Sequence, residues 1–204
     1  MANFSFDEGT HTYRLDGKVV PSITQLIKPL SPYDGIPKHI LDNAANFGTA
    51  IHKLIELEET CTLAEDDLDD ADGVLRRVLT TYRKWREHVH PEHTPACEIP
   101  MVHPKLGFAG TPDLIFDGIG IVELKTRDVD MLRDPIQTAG QELLWLANGG
   151  AKGDYYHAVL TLKADGRHKF TEFTKAQKKE GLSRFRYLLD YHKMHTNIQS
   201  WREK

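Results

Sequence analysis

Apolar and polar positions alternate or recur in short blocks along the chain, and their spacing predicts most of its elements. Thr12-Tyr13-Arg14-Leu15 and Lys18-Val19-Val20 flank an Asp16-Gly17 pair, a hairpin signal at the N-terminus. Pro21-Ser22 offers a helix start with Ser22 as N-cap and Ile23, Leu26 and Ile27 on one face. After a connection rich in Pro and Gly (Pro29, Pro32, Gly35, Pro37), residues 38–59 read as a helix, with a possible break near Gly48 and an apolar stripe at Ile51, Leu54 and Ile55. The acidic run from Glu65 to Asp70 suits the dipole at the start of a long helix ending near Val89, whose later turns carry Arg76, Arg77, Arg83, Lys84 and Arg86. A solvated helix with well-matched ends accounts for both charge runs.

The period then shortens. Strands are expected at 96–102, at 108–116 and at 119–124, with turns at Pro104–Gly107 and Asp117-Gly118. A helix over 135–147, a hairpin of 155–162 and 168–173 about Ala164-Asp165-Gly166, and a basic helix capped by Thr174 and reaching about His195 complete the pattern. Helices, three strands, a helix, two strands and a helix predict an α/β fold around a central mixed sheet flanked by helices, with an N-terminal β-hairpin and helical segment. Residues 1–95, 96–173 and 174–204 then form the N-terminal part, the sheet core and the C-terminal basic helix of one domain.

Composition narrows the class. The 204 residues are 40% hydrophobic and 27% charged, which excludes a disordered or collagen-like chain. No run approaches the length of a membrane helix, the first eight residues lack a signal-peptide pattern, and Cys61 and Cys97 are too few for a disulfide framework or a four-cysteine metal site. A reducing, cytoplasmic location is the simplest expectation. The net charge of −4 hides an asymmetry: residues 151–204 hold 12 Lys+Arg against 6 Asp+Glu, while the first 150 hold 14 against 24. No phosphate-binding Gly-x-x-x-x-Gly-Lys-Ser/Thr loop is present.

Candidate chemistry concentrates between Gly110 and Thr126. Glu123 and Lys125, two apart on an otherwise apolar strand, share a face. Buried there, they cost several kcal/mol unless paired or bound. Folding the hairpin about Asp117-Gly118 sets Asp113 opposite Val122, one residue from Glu123. Two converging carboxylates suit a hard cation, Mg²⁺ or Mn²⁺, which polarises phosphate and activates water, with Lys125 beside it. The same spacing also suits a Glu–Lys cross-link on a half-exposed hairpin.

Three motifs in order carry a resemblance. Gly48-Thr49-Ala50-Ile51-His52, Pro112-Asp113 with Glu123-Leu124-Lys125, and Gln137-Thr138-Ala139-Gly140-Gln141 resemble the PD-(D/E)XK nuclease superfamily, specifically its RecB-like exonuclease branch, and the Tyr13–Pro21 hairpin is similar to phage-encoded members. The resemblance implies a restriction-endonuclease-like core and an Mg²⁺- or Mn²⁺-dependent DNA exonuclease of phage recombination, replication or repair. It implies Asp113, Glu123, the Leu124 carbonyl and His52 as metal ligands, with Glu98 as a further acidic ligand. Lys125 orients water, and Gln137 contacts DNA phosphate or the lysine. Glu56, one turn from His52 and on its face, is a candidate to orient it or to hold the metal through water, and otherwise an exposed helix acid. Gln141 stands where the branch carries an aromatic residue, which weakens stacking or phosphate contact there.

DNA contacts are expected from Thr49, Thr126 and Gln141, from Lys163, Arg167 and Lys169 in the last hairpin, and from Lys175, Lys178, Lys179, Arg184 and Arg186 in the final helix. Trp85, Trp145 and Trp201 suit packing better than stacking. Linear duplex or single-stranded DNA ends are the expected substrate. A single-strand annealing protein is the companion the resemblance suggests, and processivity requires oligomerisation, a partner or threading. Alternatives on the same core are a structure- or sequence-specific endonuclease, a catalytically silent DNA-binding module, and a hydrolase of RNA or small phosphoesters.

Overall fold

In the computed structural model residues 3–31, 35–68, 73–90 and 92–202 are described, with the backbone alone for Glu65, Asp67 and 197–202. Asp16 and Gly17 both take positive φ, 50° and 76°, as a tight two-residue hairpin turn demands. They join β2 (Thr12–Leu15) to β3 (Lys18–Val20). An unanticipated strand, β1 (Phe4–Asp7), extends this unit to three strands. Its own alternation, Phe4 and Phe6 against Ser5 and Asp7, is the reason, and Phe6 stacks on Tyr13 at 4.6 Å between ring centroids.

The helix α1 (Ile23–Ile27) starts at a capping box in which Ser22 and Gln25 satisfy one another's backbone amides. The next helix, α2 (Lys38–Glu59), passes through Gly48 without the expected break. Burial of Ile51, Leu54 and Ile55 holds it, against about 1 kcal/mol of intrinsic cost for a helical glycine. The acidic run does not open α3. Residues 65–68 form a separate 3₁₀ turn, Asp69 and Asp70 lie outside the described residues, and α3 (Val74–Arg86) starts after Gly73 at φ 60°. It ends before Val89 because the Arg86 guanidinium takes the carbonyls of Val89, His90 and His93 and folds the chain back over the helix end.

Two expected strands are each split. Ala96–Cys97 (β4) and Met101–His103 (β5) belong to different sheets, separated by Glu98 at φ 48° and by Pro100. Phe108–Gly110 (β6) pairs with β5, whereas Leu114–Phe116 (β7) pairs with β4. Between them lies Thr111-Pro112-Asp113, where proline offers no ladder donor. The chain continues through β8 (Gly120–Lys125), α4 (Asp134–Ala147), β9 (Tyr156–Leu162), β10 (His168–Glu172) and α5 (Lys175–Arg202). Thr174 caps α5 as expected, but the helix runs to Arg202, beyond His195.

The main sheet has the order β10-β9-β8-β7-β4, with β8 and β9 parallel across the α4 crossover and the other pairs antiparallel. Helices cover both faces: α2 and α3 pack over Val122, Leu124, Leu160 and Leu162, and α1, α4 and α5 over Ile115 and Ile121. This is the mixed α/β architecture expected. At Gly181 a Cβ would stand 2.3 Å from the Pro135 carbonyl oxygen, so glycine permits the close approach of α5 to α4. Trp85 is buried in the core, Trp145 donates to Asp117 at 2.7 Å, and the Trp201 side chain lies outside the described residues. Among the described residues no helix is long and apolar enough to cross a membrane.

Candidate metal centre

The β7–β8 register decides which acids meet. Leu114 pairs with Val122 and Phe116 with Gly120, leaving a three-residue loop, Asp117–Ile119. Continued by one position, this register sets Asp113 across from Glu123 rather than from Val122, a one-residue correction that follows from the longer loop.

Asp113 is 4% exposed. Its Oδ2 accepts from the Leu124 backbone amide at 2.6 Å, and its Oδ1 lies 3.3 Å from His52 Nδ1. Glu98 completes the group. Its left-handed backbone is pinned where its amide donates to the carbonyls of Pro112 (3.1 Å) and Asp113 (3.2 Å), and its carboxylate Oε1 lies 2.9 Å from the same His52 Nδ1. A non-glycine residue held there costs free energy that such local bonding must offset. His52 arrives from α2, whose buried Ile51, Leu54 and Ile55 anchor the helix to the sheet. Ligand atoms of His52, Glu98 and Asp113 all lie within 4.8 Å of one another.

Glu123 occupies the neighbouring compartment and is 1% exposed. Its Oε1 accepts from Lys125 Nζ and Gln137 Nε2, each at 2.5 Å, and its Oε2 accepts from Gln141 Nε2. Lys125 also donates to Gln137 Oε1 at 3.3 Å. One turn apart on α4, Gln137 and Gln141 form an amide wall over the carboxylate. Gln141 is 2% exposed and faces Glu123, so the expected DNA contact from this side chain does not fit its position; its Oε1 is buried without a partner.

Burial governs the proton affinities. It disfavours the His52 imidazolium, but Asp113 and Glu98 outweigh it and hold His52 well above its usual value. Desolvation lifts Glu98 to about 7. Desolvation also opposes the Asp113 charge, yet the imidazolium, Lys125 and the Leu124 amide keep that carboxyl below the usual range. Burial first and the Asp113 charge second push Glu123 up. Burial works against Lys125 as well, and Glu123 and Asp113 overcome it, so the ammonium stays charged. Two carboxylates and an imidazole converging in this way are a donor set compatible with a divalent metal ion.

A groove of about 460 Å³ opens beside these groups, lined among others by Gly48, His52, Lys125, Thr126 and Arg127. Arg127 makes a two-pronged pair with Asp134 that secures the segment following Lys125. Thr126 thus stands at the groove, and Thr49 is exposed on α2 nearby in sequence. Because β9 runs parallel to β8, with Lys125 beside Thr161, the Lys163–Lys169 turn lies at the same end of the sheet as the centre. There Lys163 pairs with Asp128 at 2.8 Å, Arg167 pairs with Asp165 at 2.7 Å, and Lys169 is exposed. Lys178 instead bonds Asp154 and the Tyr155 carbonyl at the far end of β9, Lys175 pairs with Asp154, and Arg184 pairs with Glu180. Glu56 pairs with Lys53 at 2.9 Å rather than orienting His52.

One contributor escaped the sequence reading. The buried Tyr13 hydroxyl lies 2.8 Å from Thr111 Oγ1 and 3.1 Å from His11 Nε2, tying the N-terminal sheet to the turn that carries Asp113. Its only signal was an inward position in an alternating strand.

No protein-family model matches the chain, and no curated protein does. Among solved structures it is similar to a Eubacterium rectale protein assigned as an exonuclease, at 14% identity over 70% of this chain and 67% of that one, with a TM-score of 0.47. It is also similar to the alkaline exonuclease of Laribacter hongkongensis, at 14% identity over 62% of this chain and 72% of that one, with a TM-score of 0.31.

Proposed function

We propose that the protein is an Mg²⁺- or Mn²⁺-dependent DNA exonuclease of the RecB-like PD-(D/E)XK type, which hydrolyses phosphodiester bonds with water and without a covalent intermediate. The observation that carries this reading is the convergence of His52, Glu98 and Asp113 within 4.8 Å, directly beside the buried Glu123–Lys125 pair. His52, Glu98 and Asp113 would hold the cation, with Glu123 and the Leu124 carbonyl as the additional ligands the motif implies. When bound, the ion supplies Lewis acidity: it polarises the phosphate and lowers the pKa of water.

The remaining work falls to the chain's own groups. Lys125 keeps its proton, so it acts as a hydrogen-bond donor and not as a base. Glu123 and Gln137 fix its ammonium at the groove wall, where it orients the attacking water and offsets charge building on the phosphate. Asp113 is aimed by the Leu124 amide, so its Oδ1 faces His52. Thr126 lines the groove and would donate to a phosphate oxygen there. Lys163, Arg167 and Lys169 supply positive charge at the same end of the sheet, where linear DNA ends in the cytoplasm of a bacterial host would be held, with phage recombination or repair as the setting and an annealing protein as companion.

Incubation of end-labelled linear duplex DNA with Mg²⁺ tests the reading. The parent protein should release nucleotides and leave closed circular DNA intact, and Asp113→Asn or Lys125→Ala should each slow digestion by at least about a hundredfold. Variants that digest as fast as the parent refute it.

A further inference from the structure

The last helix, α5, carries two apolar stripes. Gly181, Phe185 and Leu189 are buried, with Gly181 against Pro135 and Phe185 against Phe108. Tyr187, Tyr191 and Met194 are instead 71%, 48% and 57% exposed. Each tyrosine follows a buried residue by two positions, about 200° around a helix, so the second stripe faces away from the body. Its spacing of four residues and then three continues in the sequence at Ile198 and Trp201, whose side chains lie outside the described residues, while the backbone stays helical to Arg202. Alternate spacings of four and three are the seam of paired helices. Beyond Leu189 no described residue of α5 is buried, and a helical segment of about thirteen residues with nothing packed on it is marginal in water.

Charge decides what suits this stripe. Residues 175–186 hold five Lys+Arg and one Glu, whereas 187–201 hold only Asp190 and Lys193 as charged residues. Aromatic residues and methionine in a nearly uncharged segment have the composition of a protein interface and not of a track for phosphates. The stripe also runs into a groove of about 430 Å³, lined among others by Leu30, Leu132, Ile136, Arg184 and Tyr187. In an antiparallel pair of α5 helices Tyr191 layers with Met194 and Tyr187 with Ile198. The same register sets Trp201 level with Arg184, at the mouth of that groove. A second copy of this chain thus supplies both a partner for the stripe and an aromatic side chain for the groove, and the neutral segment sets no like charges against each other.

We propose that α5 is a self-association surface: two copies of the chain pair antiparallel along Tyr187, Tyr191, Met194 and Ile198, and Trp201 of each enters the groove beside Arg184 of the other. The inference does not depend on the nuclease reading. Tyr187, Tyr191 and Met194 offer roughly 350 Å² per chain at their observed exposure, and Ile198 and Trp201 about 250 Å² more. Two copies then bury about 1,200 Å², the lower bound of specific interfaces, which suits a micromolar dimer.

Sedimentation equilibrium of the full chain at about 50 μM tests this. The parent should show twice the 23.2 kDa mass of one chain. Tyr191→Glu with Met194→Glu should weaken the dimer at least about a hundredfold and still unfold cooperatively on heating, since both positions face away from the core. Trp201→Ala, well past Leu189, leaves the core intact and should weaken the dimer about tenfold. For the direction of pairing, Tyr191→Cys chains and Met194→Cys chains, each also carrying Cys61→Ser, should cross-link on oxidation only when mixed. A monomeric parent, dimers of parental strength in the glutamate and alanine variants, or cross-linking of either cysteine variant by itself overturns the proposal. A parent that pairs only when single-stranded DNA is added overturns it as well and assigns the stripe to nucleic acid.

Discussion

Lowering the pH from 8 to 6 should weaken Mn²⁺ binding steeply, because the cation and protons compete for the same atoms. Glu98 holds its proton up to about pH 7, and His52 is protonated to well above its usual value. An ion taken up by these groups must displace both protons. For Glu98 alone, about nine molecules in ten carry the proton at pH 6 and about one in ten at pH 8, so affinity should fall about tenfold across the range. His52 adds up to about a further tenfold for each pH unit below its raised value. Calorimetry in buffers of different ionisation enthalpy should show one to two protons released per Mn²⁺ at pH 6. Equal affinity at both pH values with no proton release would show that these side chains are not the ligands. The same shifts act on stability without metal. Both groups bind protons more tightly in the folded protein, so their contribution is complete below pH 4.5 for Glu98 and 6.5 for His52. It is lost as pH rises through about 7 for Glu98 and through the raised value for His52. The Glu98 part is about 3 kcal/mol at most. The metal-free protein should melt at lower temperature at pH 8 than at pH 5, and Mn²⁺ should raise the melting point more at pH 8.

Two substitutions probe the supports of the centre. Gln141→Leu strips the amide from Glu123 Oε2 at a site 1% exposed; urea unfolding should show a loss of about 2 kcal/mol, and an unchanged midpoint would remove the amide wall from the account. Tyr13→Phe keeps the stack on Phe6 but loses the bonds to Thr111 and His11; about 1 kcal/mol of stability should go with it, together with several-fold in Mn²⁺ affinity by calorimetry, and parental affinity would show that Tyr13 does not position Asp113.

Short-range chemistry was legible in the chain itself. Asp16-Gly17 turns, Ser22 and Thr174 cap, and the periods of 3.6 and 2 that locate α2, α4, β8 and β9 depend on neighbours within a few residues. The common face of Glu123 and Lys125 follows from the strand period alone, and so does the i,i+4 spacing of Gln137 and Gln141. Tertiary structure decided what those faces meet. The loop of three residues, not two, shifted the β7–β8 register by one position, so that Leu114 meets Val122. The α4 crossover turned Gln141 inward onto that carboxylate, and the breaks at Glu98 and Pro112 brought Glu98 to His52, 46 residues away. Arg77 met Ala164 across 87 residues. Such contacts arise where packing between layers selects one register and one side from several that are locally equivalent, and no local pattern records that choice.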